Sequence, residues 1–206
     1  MILIRPDSLP IRFLTKICDL IFLNLFFILS CATAAFSGTG LTALYTVTLK
    51  MVRGKEYAVF KGFFRAARDN FIPSAPAAVL LFLDGALIAY LRHVLYADTL
   101  LMPPELFALL VIAAVLFTAV LGWLFPLLAS FDNTFPQQLA NAVKLALAHL
   151  PTTCLMTLVN ILPLLLALWF PALVGQIAAF WLLIGMAAGA FANSFYLSRI
   201  FDAERG

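Results

Sequence analysis

The stretch GTGLTALYTVTLKMVR, residues 38–53, decides how many times this chain crosses a membrane. It holds leucines, valines and one aromatic residue, Tyr45. It also carries Thr39, Thr42, Thr46 and Thr48, two glycines, and a basic end at Lys50 and Arg53. Sixteen residues make a helix of about 24 Å, short of the roughly 30 Å hydrocarbon layer of a bilayer. Continued to Tyr57 or Phe60, the helix becomes long enough.

The sequence on either side is unambiguous. Leu106–Phe131 contains no charge, and neither does Leu150–Ser198. A span needs about 20 mostly apolar residues, so the first gap holds one span and the second holds two, divided near Trp169-Phe170-Pro171. The apolar spans are Ile17–Phe36, Ser74–Tyr96, Leu106–Ala129, Thr152–Phe170 and Val174–Tyr196. With 64% hydrophobic and 11% charged residues, against roughly 25% charged in soluble domains, the fold class is all-α: a polytopic helical membrane protein.

Positive charge decides the status of 38–53. If this segment crosses, Arg5, Arg12, Lys16, Lys50, Arg53, Lys55, Lys61, Arg65, Arg68, Lys144, Arg199 and Arg205 share one side, and only Arg92 lies opposite. If it does not, Arg5, Arg12 and Lys16 join Arg92, and the asymmetry weakens. The pattern therefore predicts six transmembrane helices as three hairpins, with both termini cytoplasmic. The alternative is five helices, with 38–53 lying along the interface. The chain reads as a single integral membrane domain over 1–206, with hairpins at about 17–53, 74–129 and 152–198 and interfacial linkers at 54–73 and 130–151. The outward turns fall at Ser37-Gly38-Thr39-Gly40, at Ala97–Pro104 and at Pro171-Ala172.

The two linkers resemble each other. FKGFFRAARDNF (60–71) and LANAVKLALAHL (139–150) both set apolar residues at helical spacing. Both carry a basic residue in the same register, Arg65 and Lys144, and both end just before a proline. They read as amphipathic cytoplasmic helices at the interface.

The N-terminal run, with Arg12 and Lys16 ahead of an apolar segment ending ILSCATA, imitates a signal peptide and reads as an uncleaved first span. The net charge of +3 reflects orientation in the membrane. Without a basic stripe interleaved with exposed aromatics, no nucleic-acid partner is expected. Cys18, Cys31 and Cys154 are odd in number, lack CxxC spacing and lie in or beside apolar spans. They read as packing residues, with no disulfide, metal or cofactor expected.

One carboxylate is out of place. LFLDGAL (81–87) puts Asp84 in a run with no other charge from Phe71 to Leu91. IFLNLFF (21–27) and TLVNILP (157–163) place Asn24 and Asn160 similarly, each in the first helix of a hairpin, some 12 to 16 Å from its boundary. A charge at that depth costs at least a few kcal/mol. These residues are therefore expected to face the bundle interior as a ring of three polar positions, with Asn193 adding a fourth. Asn24, Asp84, Asn160 and Asn193 form the candidate substrate-binding set at the midplane, where repeat-built transporters bind solutes and ions. The alternative for the asparagines is helix-to-helix hydrogen bonding, and a structural role is equally open to Asp84, which has no Lys or Arg deep in a span to pair with.

Gly185-Met-Ala-Ala-Gly189 permits close helix contact, within the bundle or between copies in a homo-oligomer. Pro126 and Pro163 should kink their helices. No P-loop, HExxH, nucleophile elbow or paired carboxylates appear, so a non-enzymatic role is expected.

NLFFILSCATAAFSGTGLTALYTVTLKMVRGKEY (24–57), FKGFFRAARDNF (60–71) and FANSFYLSRIFD (191–202) resemble the YesL-like family of bacterial integral membrane proteins. Cys31-Ala32 departs from that family's usual step before the turn. The resemblance implies a bacterial cell-membrane location and a molecular function that is not known, with no catalytic residues to carry over. It also implies a role beside carbohydrate uptake, as an accessory component next to a transporter subunit. A membrane scaffold, sensor or assembly factor without a ligand is the alternative.

Overall fold

The computed structural model describes residues 9–32, 34–97 and 102–203. The second expected turn falls largely on 98–101, outside the described residues. So do Arg5, Arg205 and the side chain of Arg12. Every regular element of the described residues is a helix or helical turn, and none is a strand. α1 runs Leu9–Cys31, α2 Ala34–Val52, α3 Val59–Asp69, α4 Phe71–Leu95 and α5 Pro104–Ser130. α6 follows at Phe135–Ala148 and α7 at Leu150–Trp169. A 3₁₀ turn at Pro171–Leu173 leads into α8, Val174–Phe180. A π-turn at Trp181–Gly185 then joins α8 to α9, Met186–Ala203.

Among the described residues, five segments are long and apolar enough to cross a membrane: Phe13–Cys31, Phe71–Leu95, Pro104–Ser130, Leu150–Trp169 and Pro171–Ala203. The distribution of side chains agrees with this. Ile72 is 82% exposed, Phe13 69% and Leu29 65%, whereas Asn24, Thr48, Ser74, Gln138 and Ser194 are 0% exposed. Large apolar side chains face outward and most polar side chains of the spans are buried, as lipid requires; Asn160, expected inside, is exposed. The chain is an all-α, multi-pass membrane protein.

α2, the ambiguous segment, is the centre of the bundle. It packs against α1, α3, α4, α5 and α9, and nearly every residue from Gly38 to Leu49 is buried. This explains its modest hydropathy. Thr42 Oγ1 lies 2.9 Å from Ser74 Oγ on α4, and Thr48 Oγ1 2.9 Å from Ser194 Oγ on α9. The same hydroxyls also reach carbonyls one turn back, at Gly38 and Leu44. A helix enclosed by other helices needs partners for its polar groups rather than compatibility with lipid. Its 19 residues span about 28 Å.

The first turn is not where the glycines suggested. α1 ends at Cys31 and α2 starts at Ala34, so Ser37-Gly38-Thr39-Gly40 lies within α2. These glycines serve close packing. A Cβ on Gly38 would stand 2.8 Å from Ala78 Cβ and 2.9 Å from Ala78 N, and one on Gly40 would land on Ser30 Oγ. The third turn lies at Pro171–Leu173, as expected.

α3 runs back along α2. Gly62 faces Val47, and Phe71 at the start of α4 meets Phe36 with ring centroids 5.0 Å apart. Phe63 and Ala66 are buried beneath it. α6 lies across α5 and α7 with Gln138, Ala142 and Ala146 buried, and a Thr134–Gln137 capping box opens it. Two polar contacts tie helix ends together. Tyr57 Oη donates to Asp19 Oδ2 at 2.8 Å, and Arg53 pairs with Asp202 at 2.8 Å. They bring the first half of α1, the end of α2 and the end of α9 to one end of the molecule.

The cysteines correct another expectation. Cys18, Cys31 and Cys154 are free and exposed on the helix surfaces rather than packed inside. The Gly185–Gly189 pair is used within the bundle. Gly189 faces Val159 of α7, and Gly185 makes room for the Trp181 ring.

Candidate functional site

Spacing puts Asp84 inside. Ala77, Asp84 and Leu91 recur every seven residues on α4 and share its buried face. Asp84 is 4% exposed. Its Oδ2 accepts a hydrogen bond from Thr118 Oγ1 of α5 at 2.8 Å, and its Oδ1 has no partner among the described residues. A carboxylate that accepts one hydrogen bond has most of its acceptor capacity unused.

Asp84 lines a half-open cavity of about 290 Å³ bordered by α2, α4, α5, α7 and the π-turn with the start of α9. Thr118, Tyr45 and Asn160 provide the other polar side chains of its wall; leucines, isoleucine, Phe125 and Trp181 provide most of the rest. Three of the bordering elements have a backbone ladder interrupted at the cavity itself. Proline has no N–H to give, so Pro126 withholds the usual partner from the Gly122 carbonyl, and Pro163 from that of Val159. The third interruption is the π-turn itself. Gly122, Val159, Trp181 and Gly185 all line the cavity. Irregular backbone at membrane depth is found where it is buried in protein or borders a cavity.

The four sequence candidates separate into three places. Asn24 is 0% exposed and does not line the cavity. Its Nδ2 donates to the carbonyls of Trp181 at 3.0 Å and Leu182 at 2.7 Å, and its Oδ1 accepts the N–H of Ala187 at 2.9 Å. Asn24 thus bonds the backbone groups that the π-turn exposes. Asn193 is buried behind the cavity wall. Its Nδ2 donates to Tyr45 Oη at 3.2 Å and to Asn160 Oδ1 at 3.3 Å. Those bonds hold Tyr45 and Asn160 on the wall and leave the Tyr45 hydroxyl proton and Asn160 Nδ2 to face other partners. Asp84 and Asn160 share the cavity without bonding each other. The expected three-residue ring therefore does not form. In its place stand an acid–hydroxyl pair, an amide–phenol group and a separate amide clamp.

Tyr45, Thr118 and the π-turn were not singled out from sequence. Thr118 carried a usable signal. It and Asp84 lie symmetrically about residue 101, inside the turn between α4 and α5, so an antiparallel hairpin brings them opposite each other. Nothing in the sequence marks the π-turn.

The wall offers a carboxylate oxygen as acceptor, and a phenol and an amide as donors, in apolar surroundings. It holds one carboxylate and no nucleophile paired with a base. Among the described residues, no group of three or more His, Cys, Asp or Glu is placed to hold a metal.

Residues 20–91 match a family described as "Protein of unknown function, DUF624". The match takes in α2, α3, Asn24 and Asp84. No curated protein and no solved structure matches the chain.

Proposed function

We propose that this chain is a non-enzymatic, multi-pass protein of the bacterial cell membrane, with both termini cytoplasmic, that binds a small solute in the Asp84 cavity as an accessory component of uptake. One observation carries the reading: a buried acid with an unpaired oxygen on the wall of a cavity large enough for a small molecule. An acid at membrane depth is by default a functional-site candidate.

Carbohydrate is the solute class that the sequence resemblance implies. The cavity gives it qualified support. Asp84 Oδ1, Tyr45 Oη and Asn160 Nδ2 match a few hydroxyls, and Trp181 and Phe125 supply ring surface. The aliphatic remainder favours a ligand with one polar edge, and so favours an accessory role over a stand-alone sugar carrier. The orientation rests on the concentration of Lys and Arg on one side.

The scaffold reading has an observation of its own. Asn24 and Asn193 direct their amides to other helices, as registry residues do. The Asp84→Asn variant separates the two readings. Uptake of a panel of labelled mono- and oligosaccharides is measured in cells together with the abundance of the protein in membranes. Lost uptake at normal abundance supports a ligand site. Lost abundance supports a scaffold, and unchanged uptake and abundance remove Asp84 from the function.

A further inference from the structure

A second concave surface lies away from the Asp84 cavity. Phe26 of α1, Phe36 of α2, Phe63 and Phe64 of α3, and Phe71 of α4 line a groove of about 610 Å³, with Arg68 among its lining residues. The rings contact one another: Phe26 and Phe64 at 5.3 Å between centroids, Phe63 and Phe64 at 5.7 Å. Phe36 is 45% exposed, Phe64 42% and Phe71 38%. The groove is thus an open aromatic trough in a wall whose neighbouring residues, Phe22 and Ile72, also face outward.

α3 adds charge along this trough. Lys61, Arg65 and Arg68 fall at i, i+4 and i+7 and are exposed on one helix face. The one acid on α3, Asp69, is 3.8 Å from Arg65 and 3.5 Å from Arg68. Those side chains are 84% and 86% exposed, and ion pairs so exposed and so long bind weakly. α3 therefore carries three cations against one anion. Arginine offers a planar fork of donors that fits a phosphate.

The geometry points to a binding site for one anionic phospholipid, with an acyl chain among the phenylalanine rings and the phosphate held by Arg68 and Arg65. Charge complementarity chooses the occupant. A zwitterionic lipid would fill the trough equally well and gain less from the three cations. Each Lys or Arg near an anionic headgroup contributes roughly a fivefold gain in binding.

The test uses the full-length protein purified in mild detergent. It is titrated with phosphatidylglycerol or with phosphatidylcholine of identical chains, and bound lipid is read by native mass spectrometry. Phosphatidylglycerol should bind at least roughly tenfold tighter. Arg65→Gln/Arg68→Gln should remove that preference and leave phosphatidylcholine binding unchanged. Phe64→Ala should weaken both lipids. Asp69→Asn should tighten phosphatidylglycerol, so the inference does not depend on losses alone. Arg92→Gln, which replaces a cation of α4 outside the groove, should change nothing. Equal binding of the two lipids by the natural protein overturns the inference, as does a preference that survives Arg65→Gln/Arg68→Gln.

Discussion

The side chain of Asn24 accepts the backbone N–H of Ala187 at 2.9 Å, across 163 residues of sequence. The same amide donates to the carbonyls of Trp181 and Leu182. One side chain of α1 thereby completes the hydrogen bonding of a turn in the last membrane segment. Removing it takes one hydrogen-bond partner from each of three backbone groups in a water-poor interior, and any of them left unsatisfied costs about 1–3 kcal/mol before relaxation. Asn24→Ala should lower the melting temperature in detergent. Asn24→Asp should be nearly as harmful, because a carboxylate accepts from Ala187 but cannot donate to the two carbonyls. If Asn24→Asp melts like the natural protein, the clamp is not a source of stability.

Gly38 has no room for a methyl group. A Cβ there meets Ala78 Cβ, N and Cα at 2.8, 2.9 and 3.0 Å. Gly38→Ala should destabilise by about 1–3 kcal/mol through overpacking. Ala78→Gly should rescue it only in part, because two of the three contacts are backbone. Gly175→Ala is the contrasting change. Nothing lies within 4 Å of its Cβ position, so that variant should be neutral or gain up to about 1 kcal/mol from helix propensity. Thermal unfolding in one detergent compares all three.

The hydroxyl pairs of α2 should act as pairs. Thr48→Val and Ser194→Ala each remove one side of a 2.9 Å contact. The double variant should be less destabilised than the sum of the singles. Coupling energies for polar pairs within membranes are about 0.6 kcal/mol on average and up to about 1.7. A coupling indistinguishable from zero would show that each hydroxyl is satisfied by its own helix alone.

Alkaline pH tests the contact at the end of the bundle. Burial, the hydrogen bond to Asp19 and the negative charge of Asp19 push the Tyr57 phenol up to about 12. A phenol whose folded pKa is raised contributes stability that is whole below its unfolded value, about 10. That contribution is lost as pH rises through the folded value of about 12. The stability difference between the natural protein and Tyr57→Phe should stay constant up to about pH 10 and shift against the natural protein above it. Chemical unfolding across that range, with tyrosinate absorbance followed in parallel, reads both effects.

Much of the fold was legible because lipid imposes a coarse rule: long uncharged runs cross. Leu106–Phe131 and Leu150–Ser198 could be read in no other way. Residues 38–53 were harder, because hydropathy measures compatibility with lipid and α2 meets other helices. Its threonines look like defects until Ser74 and Ser194 are placed beside them, and those partners lie 32 and 146 residues away. The Gly38–Gly40 reversal was misjudged for a related reason. Glycine serves both tight turns and close helix contact, and only the position of Ala78 distinguishes them. In the candidate site, the inward face of Asp84 followed from its cost in lipid. The destination of Asn24 did not, because its partners are backbone groups freed by a π-turn that leaves no trace in residue type.

The central place of α2 carries a consequence for biogenesis. The ribosome delivers this helix second, whereas Ser74, Asn193 and Ser194, which occupy its hydroxyls, emerge later. Until α9 arrives, Thr48 Oγ1 rests on carbonyls of its own helix and Tyr45 Oη lacks the Asn193 amide. The polar seam of α2 is therefore completed only when α9 docks against it.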